Sequence, residues 1–358
     1  MKPGTPDYAV KIDHGIISAI GAALLFGLST PIAKSLVGDM PPLLLAGLLY
    51  LGSGLGLAAL LIIRVTFGGE VRPIWPHGHE LLWLLGAIVA GGVLGPFLLM
   101  SGLRLTDAAS ASLILNLEAV LTALLAWFVF RENFDRRIAL GMALIVAGGV
   151  TLAIGPGVNA NGLLGPAVIA SACLAWAIDN NLTRKVSLHD AMAIACVKGL
   201  MAGVTNTALA IGMGAILPST KILIAACVLG FGGYGLSLTL FVLALRRLGT
   251  ARTGAYFSLA PFFGAALAVA LGAHLSVTMA IAALLMAAGV WLHLAERHRH
   301  LHTHEVLEHE HEHVHDAHHQ HAHDGTAATG VSHSHPHRHL PLTHSHAHFP
   351  DVHHRHGH

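Results

Sequence analysis

The segment GLRLTDAASASLILNLEAVLTALLA, residues 102–126, has a counterpart 142 positions later in ALRRLGTARTGAYFSLAPFFGAALA, residues 244–268. Leu103 falls on Leu245, Arg104 on Arg246, Ala109 on Ala251, Leu117 on Leu259, Ala123 on Ala265, Leu125 on Leu267 and Ala126 on Ala268. A weaker correspondence at an offset of 150 sets Phe26 on Trp176 and Lys34 on Arg184. Two copies of one unit are the simplest reading of this pattern.

Outward from that pair, the chain is a series of apolar runs. A helix needs roughly 20 apolar residues to cross a bilayer core, at ~1.5 Å of rise per residue. Residues 14–36, 42–64, 80–101, 107–130 and 136–155 supply five such runs. After the uncharged break GPGVNANG, five more follow at 162–184, 190–213, 221–245, 250–272 and 276–295. An odd number of spans per copy makes the copies enter the membrane in opposite directions, and an inverted repeat of this kind places a substrate path near the midplane between the halves. The expected fold class is therefore all-α integral membrane, with ten transmembrane helices as an inverted five-plus-five repeat and a disordered His-rich C-terminal tail. The expected organisation is 1–13 as N-terminal segment, 14–155 and 162–295 as the two repeats, and 297–358 as the tail.

Composition agrees. Of 358 residues 54% are hydrophobic and only 11% charged, with a mean hydropathy of +0.65, which excludes an ordinary soluble globule and makes the lipid bilayer the first partner. A net charge of +1 gives no reason to expect a nucleic-acid partner. Cys173, Cys196 and Cys227 stand singly in apolar runs and read as packing residues. The first run, preceded by Lys2 and Lys11 and lacking a small-residue cleavage site, does not read as a removed signal peptide. With the N-terminus inside, fourteen Lys and Arg fall on the cytoplasmic side and three, Lys34, Arg104 and Lys221, on the other. That asymmetry predicts an inner (plasma) membrane protein with both termini cytoplasmic.

The run of helices, the N-L-E-A-V-L-T-A-L-L-A-W segment at 116–127 followed by Glu132, and its partner S-L-A-P-F-F-G-A-A-L-A at 258–268 resemble the EamA-type permeases of the drug/metabolite transporter superfamily. The resemblance covers about residues 14–295 and implies ten helices, two EamA units, no ATPase and export of small metabolites or ions. Two departures stand out: Ala119 replaces the proline of the usual E-P pair, which appears only as Pro261, and His274 occupies the place of Glu132. No nucleophile–base array, phosphate loop or nucleotide motif is present, so no enzyme activity is expected.

A charge at the bilayer centre costs about 2.5–3.5 kcal/mol on insertion scales, so ionisable groups inside the spans are functional candidates. Three stand well inside: Glu118, close after Asn116; Asp179, followed by Asn180 and Asn181; and Lys198. A carboxylate flanked by amide oxygens can hold a cation or a proton. Asp179 and Lys198 lie on the two arms of one predicted hairpin and can pair, which is equally a structural device. Asn206 and Tyr234 either line a path or join helices. Ser29, Thr30 and Pro31 suggest a broken first helix.

The tail carries 23 of the 29 histidines. The metal-ligand candidates are His298, His300, His302 and His304 in H-R-H-L-H-T-H; His309, His311, His313, His315, His318, His319, His321 and His323 in the acidic stretch that follows; His333, His335, His337 and His339 in H-S-H-P-H-R-H; and His344, His346 and His348 in H-S-H-A-H. Few aliphatic residues leave such a segment without a core of its own, hence disordered. Neutral imidazole is a ligand for Ni²⁺, Co²⁺, Zn²⁺ and Cu²⁺, and affinity order alone does not choose among them.

These observations lead to a secondary-active exporter of a divalent transition-metal ion, Ni²⁺ and with it Co²⁺, coupled to proton antiport, whose tail captures or senses cytosolic metal. The nickel and cobalt assignment leans on a likeness to the His-tailed nickel/cobalt resistance permeases of the same superfamily. No cofactor is required; the metal ion is ligand or cargo, and a homodimer is compatible. The alternative is an exporter of amino acids or other small metabolites with a metal-sensing tail.

Overall fold

In hydrocarbon every peptide group must find its partner within the chain, and an apolar sequence meets that demand as helix. A computed structural model describes residues 14–38, 40–67, 78–130, 136–153, 160–186 and 189–294, and in the tail 298–304, 307–313, 333–339 and 342–348. The N-terminal segment 1–13, Glu132, and His315, His318, His319, His321 and His323 lie outside the described residues. The chain divides into two units, residues 1–296 and 297–358, each described by itself.

All regular secondary structure among the described residues of the first unit is helical. Its elements are α1 (His14–Leu36), α2 (Pro42–Thr66), α3 (His79–Ala87), a π-helical stretch (Ile88–Leu94), α4 (Gly95–Leu105), α5 (Ala108–Ile114), α6 (Leu117–Phe130) and α7 (Arg136–Ala153). After a short 3-10 turn (Ala160–Leu163) come α8 (Leu164–Val186), α9 (Ala191–Gly212), α10 (Thr220–Gly230), a second π-helical stretch (Phe231–Leu236), α11 (Ser237–Phe257), α12 (Ala260–Ala270) and α13 (Val277–Leu294). Among the described residues seven stretches are long and apolar enough to cross a membrane: His14–Leu36, Pro42–Thr66, His79–Leu105, Ala108–Leu125, Ala191–Gly212, Thr220–Leu248 and Thr253–Ala270. Ala139–Ala153 and Val277–Leu292 are shorter apolar helices. The 23-residue α8 is long enough as well, but D-N-N-L-T-R-K makes its last turns polar. Large side chains such as Ile63, Leu82, Val204, Leu284 and Trp291 stand exposed on the surface, apolar area that lipid covers without cost.

Packing repeats across the two halves. α2 lies on α9 and α7 on α13, while α1 packs on α11 and α12 as α8 packs on α4 and α6. The first helix of each half thus packs on the helices of the third and fourth spans of the other, while the last helices, α7 and α13, pack on each other. The α2–α9 crossing depends on absent side chains: a Cβ on Gly54 would stand 2.5 Å from the Leu200 nitrogen, and one on Gly203 2.4 Å from the Leu51 nitrogen. Such close backbone approach is what small residues allow between membrane helices. The π-helical stretches fall at equivalent places, Gly91 answering to Gly233 at the offset of 142.

Three expectations change. α1 runs unbroken through Pro31, because in a packed membrane helix the neighbours hold what the missing proline N–H does not; Gly27 lies so close to α12 that a Cβ there would meet the Ala260 carbonyl oxygen at 2.1 Å. The expected loop at 246–249 is helical, since Arg246, Arg247 and Leu248 are good helix formers and Gly249 alone costs only about 1 kcal/mol. The breaks come instead at Leu115–Asn116 and at Ser258–Leu259, where the amides of Asn116 and Leu259 bond three residues back, to Leu113 and Tyr256.

In the second unit, the expectation of a disordered tail meets four extended strands, β1 (His298–His304), β2 (Leu307–His313), β3 (His333–His339) and β4 (Leu342–His348). β1 pairs with β4 and β2 with β3, both antiparallel, setting His300 opposite His346 and His311 opposite His335. Peptide groups without a core to fold around still satisfy one another in a ladder, and a sequence alternating with period two suits that ladder.

Candidate functional site

The polar residues inside the membrane unit collect around α8. Its last turns bring Asp179, Asn180 and Asn181 in succession, about 100° apart around the helix, so each meets a different neighbour. Asp179 faces α9, where Lys198 donates to its Oδ1 at 2.5 Å, and the Thr183 hydroxyl joins both, donating to Oδ1 at 2.8 Å and accepting from Lys198 Nζ at 3.0 Å. Both charges are almost wholly buried, at 6% exposure for Asp179 and 1% for Lys198. A Cβ on Gly91 would meet Asp179 Oδ2 at 1.9 Å, so the carboxylate is seated on the bare backbone of the first π-helical stretch. The hairpin pairing expected of these two residues is formed, and it occupies the Asp179 carboxylate.

Asn180 faces α6. Its Nδ2 donates to Glu118 Oε1 at 2.8 Å and reaches Thr122 Oγ1 at 3.4 Å. Glu118 and Asn180 are both only half-buried, unlike the ion pair beside them. Among the described residues Glu118 has no cationic partner, which leaves this carboxylate available to cargo or proton. Asn181 spends its amide on the carbonyls of Ala177 at 2.8 Å and Thr122 at 3.3 Å. Asn116 turns away from Glu118, donating to the Leu113 carbonyl at 3.2 Å and to Met286 Sδ on α13 at 3.7 Å. Asn116 therefore does not flank Glu118 as expected, and Asn180 and Asn181, expected to flank Asp179, turn elsewhere; the amide that Glu118 meets is that of Asn180.

One helical turn before Asn180, on the same face of α8, sits Trp176. Its ring meets Phe26 of α1 edge-on at 5.6 Å, and Phe26 also touches Tyr234 at 5.7 Å and Phe257 at 5.5 Å, while Tyr50 lies 5.4 Å from Tyr234. Five aromatic rings from α1, α2, α8, α11 and the second π-helical stretch thus form one cluster, whose Trp176 lies one helical turn before Asn180. A π-helical stretch shifts the carbonyl ladder and leaves oxygens to be met from outside. Gly91 O accepts from Tyr50 at 2.8 Å and from Trp176 Nε1 at 3.0 Å, and Gly92 O from Asn206 Nδ2 at 3.1 Å. Asn206 acts here as a brace between helices. The Tyr234 hydroxyl is buried with no hydrogen-bond partner among the described residues.

Sequence reasoning passed over Tyr50, Trp176, Phe26, Thr122 and Thr183 as site residues. The threonines carried a signal, each lying four residues after Glu118 or Asp179 and so on the same helix face. Trp176 and Phe26 had one too, as the matched pair of the 150-residue offset.

Residues 13–154 match the EamA-like transporter family. An uncharacterized transporter from Methanothermobacter thermautotrophicus is 29% identical over 294 residues, 78% of this chain and 85% of that protein. A probable amino-acid metabolite efflux pump from Salmonella typhimurium is 27% identical over 298 residues, 77% of this chain and 93% of the pump. A crystal structure superimposes with a TM-score of 0.61 at 21% identity, covering 78% of this chain and 94% of the other, a likeness of fold. The family match thus falls in the first half of the chain, and the relatives, one named a transporter and one a probable efflux pump, extend through both halves of a chain whose described residues hold seven stretches long and apolar enough to cross a membrane.

Proposed function

We propose that the chain is a secondary-active exporter of small amine-bearing organic metabolites, the amino-acid class foremost, and that Glu118 alternates between cargo and proton. The observation that carries this reading is the half-buried Glu118 carboxylate held by Asn180, which itself stands one helical turn after Trp176 and its contact with Phe26. A carboxylate beside aromatic faces suits an ammonium group attached to an apolar body. The unpartnered Tyr234 hydroxyl offers a donor for the anionic end of a zwitterion. The name of the Salmonella typhimurium relative points the same way. A bare divalent ion asks for several converging oxygen or nitrogen ligands, and Asp179, the carboxylate that α8 supplies, is already taken by Lys198. The proposal includes ten crossings in two inverted repeats, an inner-membrane location with both termini cytoplasmic, and no resident cofactor.

The histidine-rich tail favours a second reading, export of Ni²⁺ or Co²⁺, with the tail capturing metal from the cytosol. Moving two positive charges outward against an inside-negative potential costs ~4.6 kcal/mol per 100 mV, so either cargo that leaves as a cation needs the proton gradient.

Everted membrane vesicles containing the full chain decide between the two. Under an imposed proton gradient, accumulation of a radiolabelled amino acid or amine that falls to background in Glu118→Gln supports the first reading. Accumulation of Ni²⁺ or Co²⁺ with no organic substrate moved replaces it with the second.

A further inference from the structure

Two arginines made equivalent by the duplication hold equivalent turns at opposite ends of the membrane unit. Arg104, in the last turn of α4, donates from Nε to the Val37 carbonyl at 3.3 Å and from Nη2 to the Met40 carbonyl at 3.1 Å, in the turn between α1 and α2. Arg246, on α11, donates from Nη2 to the His189 carbonyl at 2.5 Å, in the turn between α8 and α9. The offset of 142 relates the arginines, and the offset of 150 relates Met40 to Asp190, the residue after His189. Since α2 starts beside the first clasp and ends at Arg64, which binds Asp190 at the second, the two clasps lie a full helix length apart.

What each clasp joins gives it a role. α1 packs with α11 and α12, and α8 packs with α4 and α6, so the unit contains two packing groups. Arg104 reaches from the α4 group to the end of α1; Arg246 reaches from the α11 group to the end of α8. Each clasp therefore bridges the two groups, at opposite ends, and between them lie Phe26, Trp176, Asn180 and Glu118. The Val37 carbonyl lies just past the C-terminus of α1, where partial negative charge suits a guanidinium, while the Met40 and His189 carbonyls stand in the turns directly before α2 and α9. Both arginines are also exposed, so water can replace the bonds when they open. The ends are not equal: Lys34 donates to the Leu103 carbonyl at the first, whereas the second adds His189–Glu80 at 3.0 Å and Arg64–Asp190 at 2.9 Å.

We propose that Arg104 and Arg246 are paired positioning residues of the transport cycle, each closing one end of the substrate path, and that the described conformation, with both engaged, is occluded. Alternating access then requires one clasp to open while the other stays made. The inference rests on transport by this chain and is independent of the cargo.

The test needs no substrate. In the full chain carrying C173A, C196A and C227A, Thr122→Cys places one thiol beside Asn180. Its reaction with a membrane-impermeant maleimide is followed in right-side-out and inside-out vesicles. Arg246→Gln raises the labelling rate from the face that bears Arg64 and lowers it from the opposite face, shifting the ratio about tenfold, the size expected for one charge-assisted hydrogen bond. Arg104→Gln shifts it by a similar factor in the reverse direction, and the two lysine variants, which keep the charge and lose the fork, shift it less. If both glutamine variants change labelling in the same direction, or neither changes it in protein that elutes as a single species with unaltered unfolding temperature, the proposal is wrong. A loss of fold in a glutamine variant leaves the lysine pair to decide: opposite shifts support the clasps, and parallel or absent shifts overturn them.

Discussion

Lys198 shows what a single residue contributes in this solvent. An ammonium that is 1% exposed persists only because Asp179 and Thr183 meet it within hydrogen-bond range. Removing one partner strands the other, so Lys198→Met should destabilise the protein by about 3–5 kcal/mol, and adding Asp179→Asn should recover most of that loss. Thermal unfolding in detergent of the single and double variants measures the difference. If the single variant is as stable as the parent, the pair is not the structural device its geometry implies. Glu118 is the contrasting residue, sharing the neighbourhood but only an amide as partner, which is why it and not Asp179 is assigned the moving charge.

At the scale of the element, glycines decide which helices can meet. A Cβ on Gly230 would stand 1.9 Å from the Leu49 carbonyl oxygen, whereas one on Gly232, two residues on, meets nothing within 4 Å. Gly230→Ala should therefore cost about 1–3 kcal/mol through overpacking of backbone against backbone. Gly232→Ala should be neutral within about 0.5 kcal/mol. Unfolding temperatures of the two variants compared side by side are the check. The start of α9 offers a pH-dependent case. Burial tends to raise the Asp190 carboxyl, but the amides of Ala193 and Met192 and the guanidinium of Arg64 outweigh it and hold the group below its ordinary range. A depressed folded value stabilises above the unfolded pKa and is lost as pH falls through the folded one. Acidification below about pH 4 should thus loosen the first turn of α9, seen as lower protection of the Ala193 and Ile194 amides relative to the intrinsic exchange rate at each pH. Asp190→Ala removes the cap at about 1 kcal/mol and should abolish that pH dependence.

For the whole molecule the division into two units is the governing fact. If the membrane unit holds itself together, a chain ending at Glu296 should keep its unfolding temperature within about 2 °C, no more than a small surface change produces. The same truncation should remove most of the Ni²⁺ bound per chain, measured by equilibrium dialysis, because it deletes 23 of the 29 histidines. Retained nickel binding would move the metal ligands into the membrane unit and revive the metal-cargo reading there.

Period and composition were enough to place the helices in the apolar runs, to align residues 102–126 with 244–268, and to single out Glu118, Asp179 and Lys198, because a bilayer penalises every charge and makes the exceptions conspicuous. The chain's own order could not say that α1 continues through Pro31 or that α11 runs on through Arg246, because neighbours far away in sequence supply what a local breaker removes. Nor could it assign partners. Whether Asp179 or Glu118 was neutralised depended on which residue of D-N-N turned toward α9 and which toward α6, a rotation of about 100° per residue that only packing fixes. The aromatic rings beside the site were individually ordinary apolar residues, and their meeting is a property of five elements brought together by the exchange of first helices between the halves.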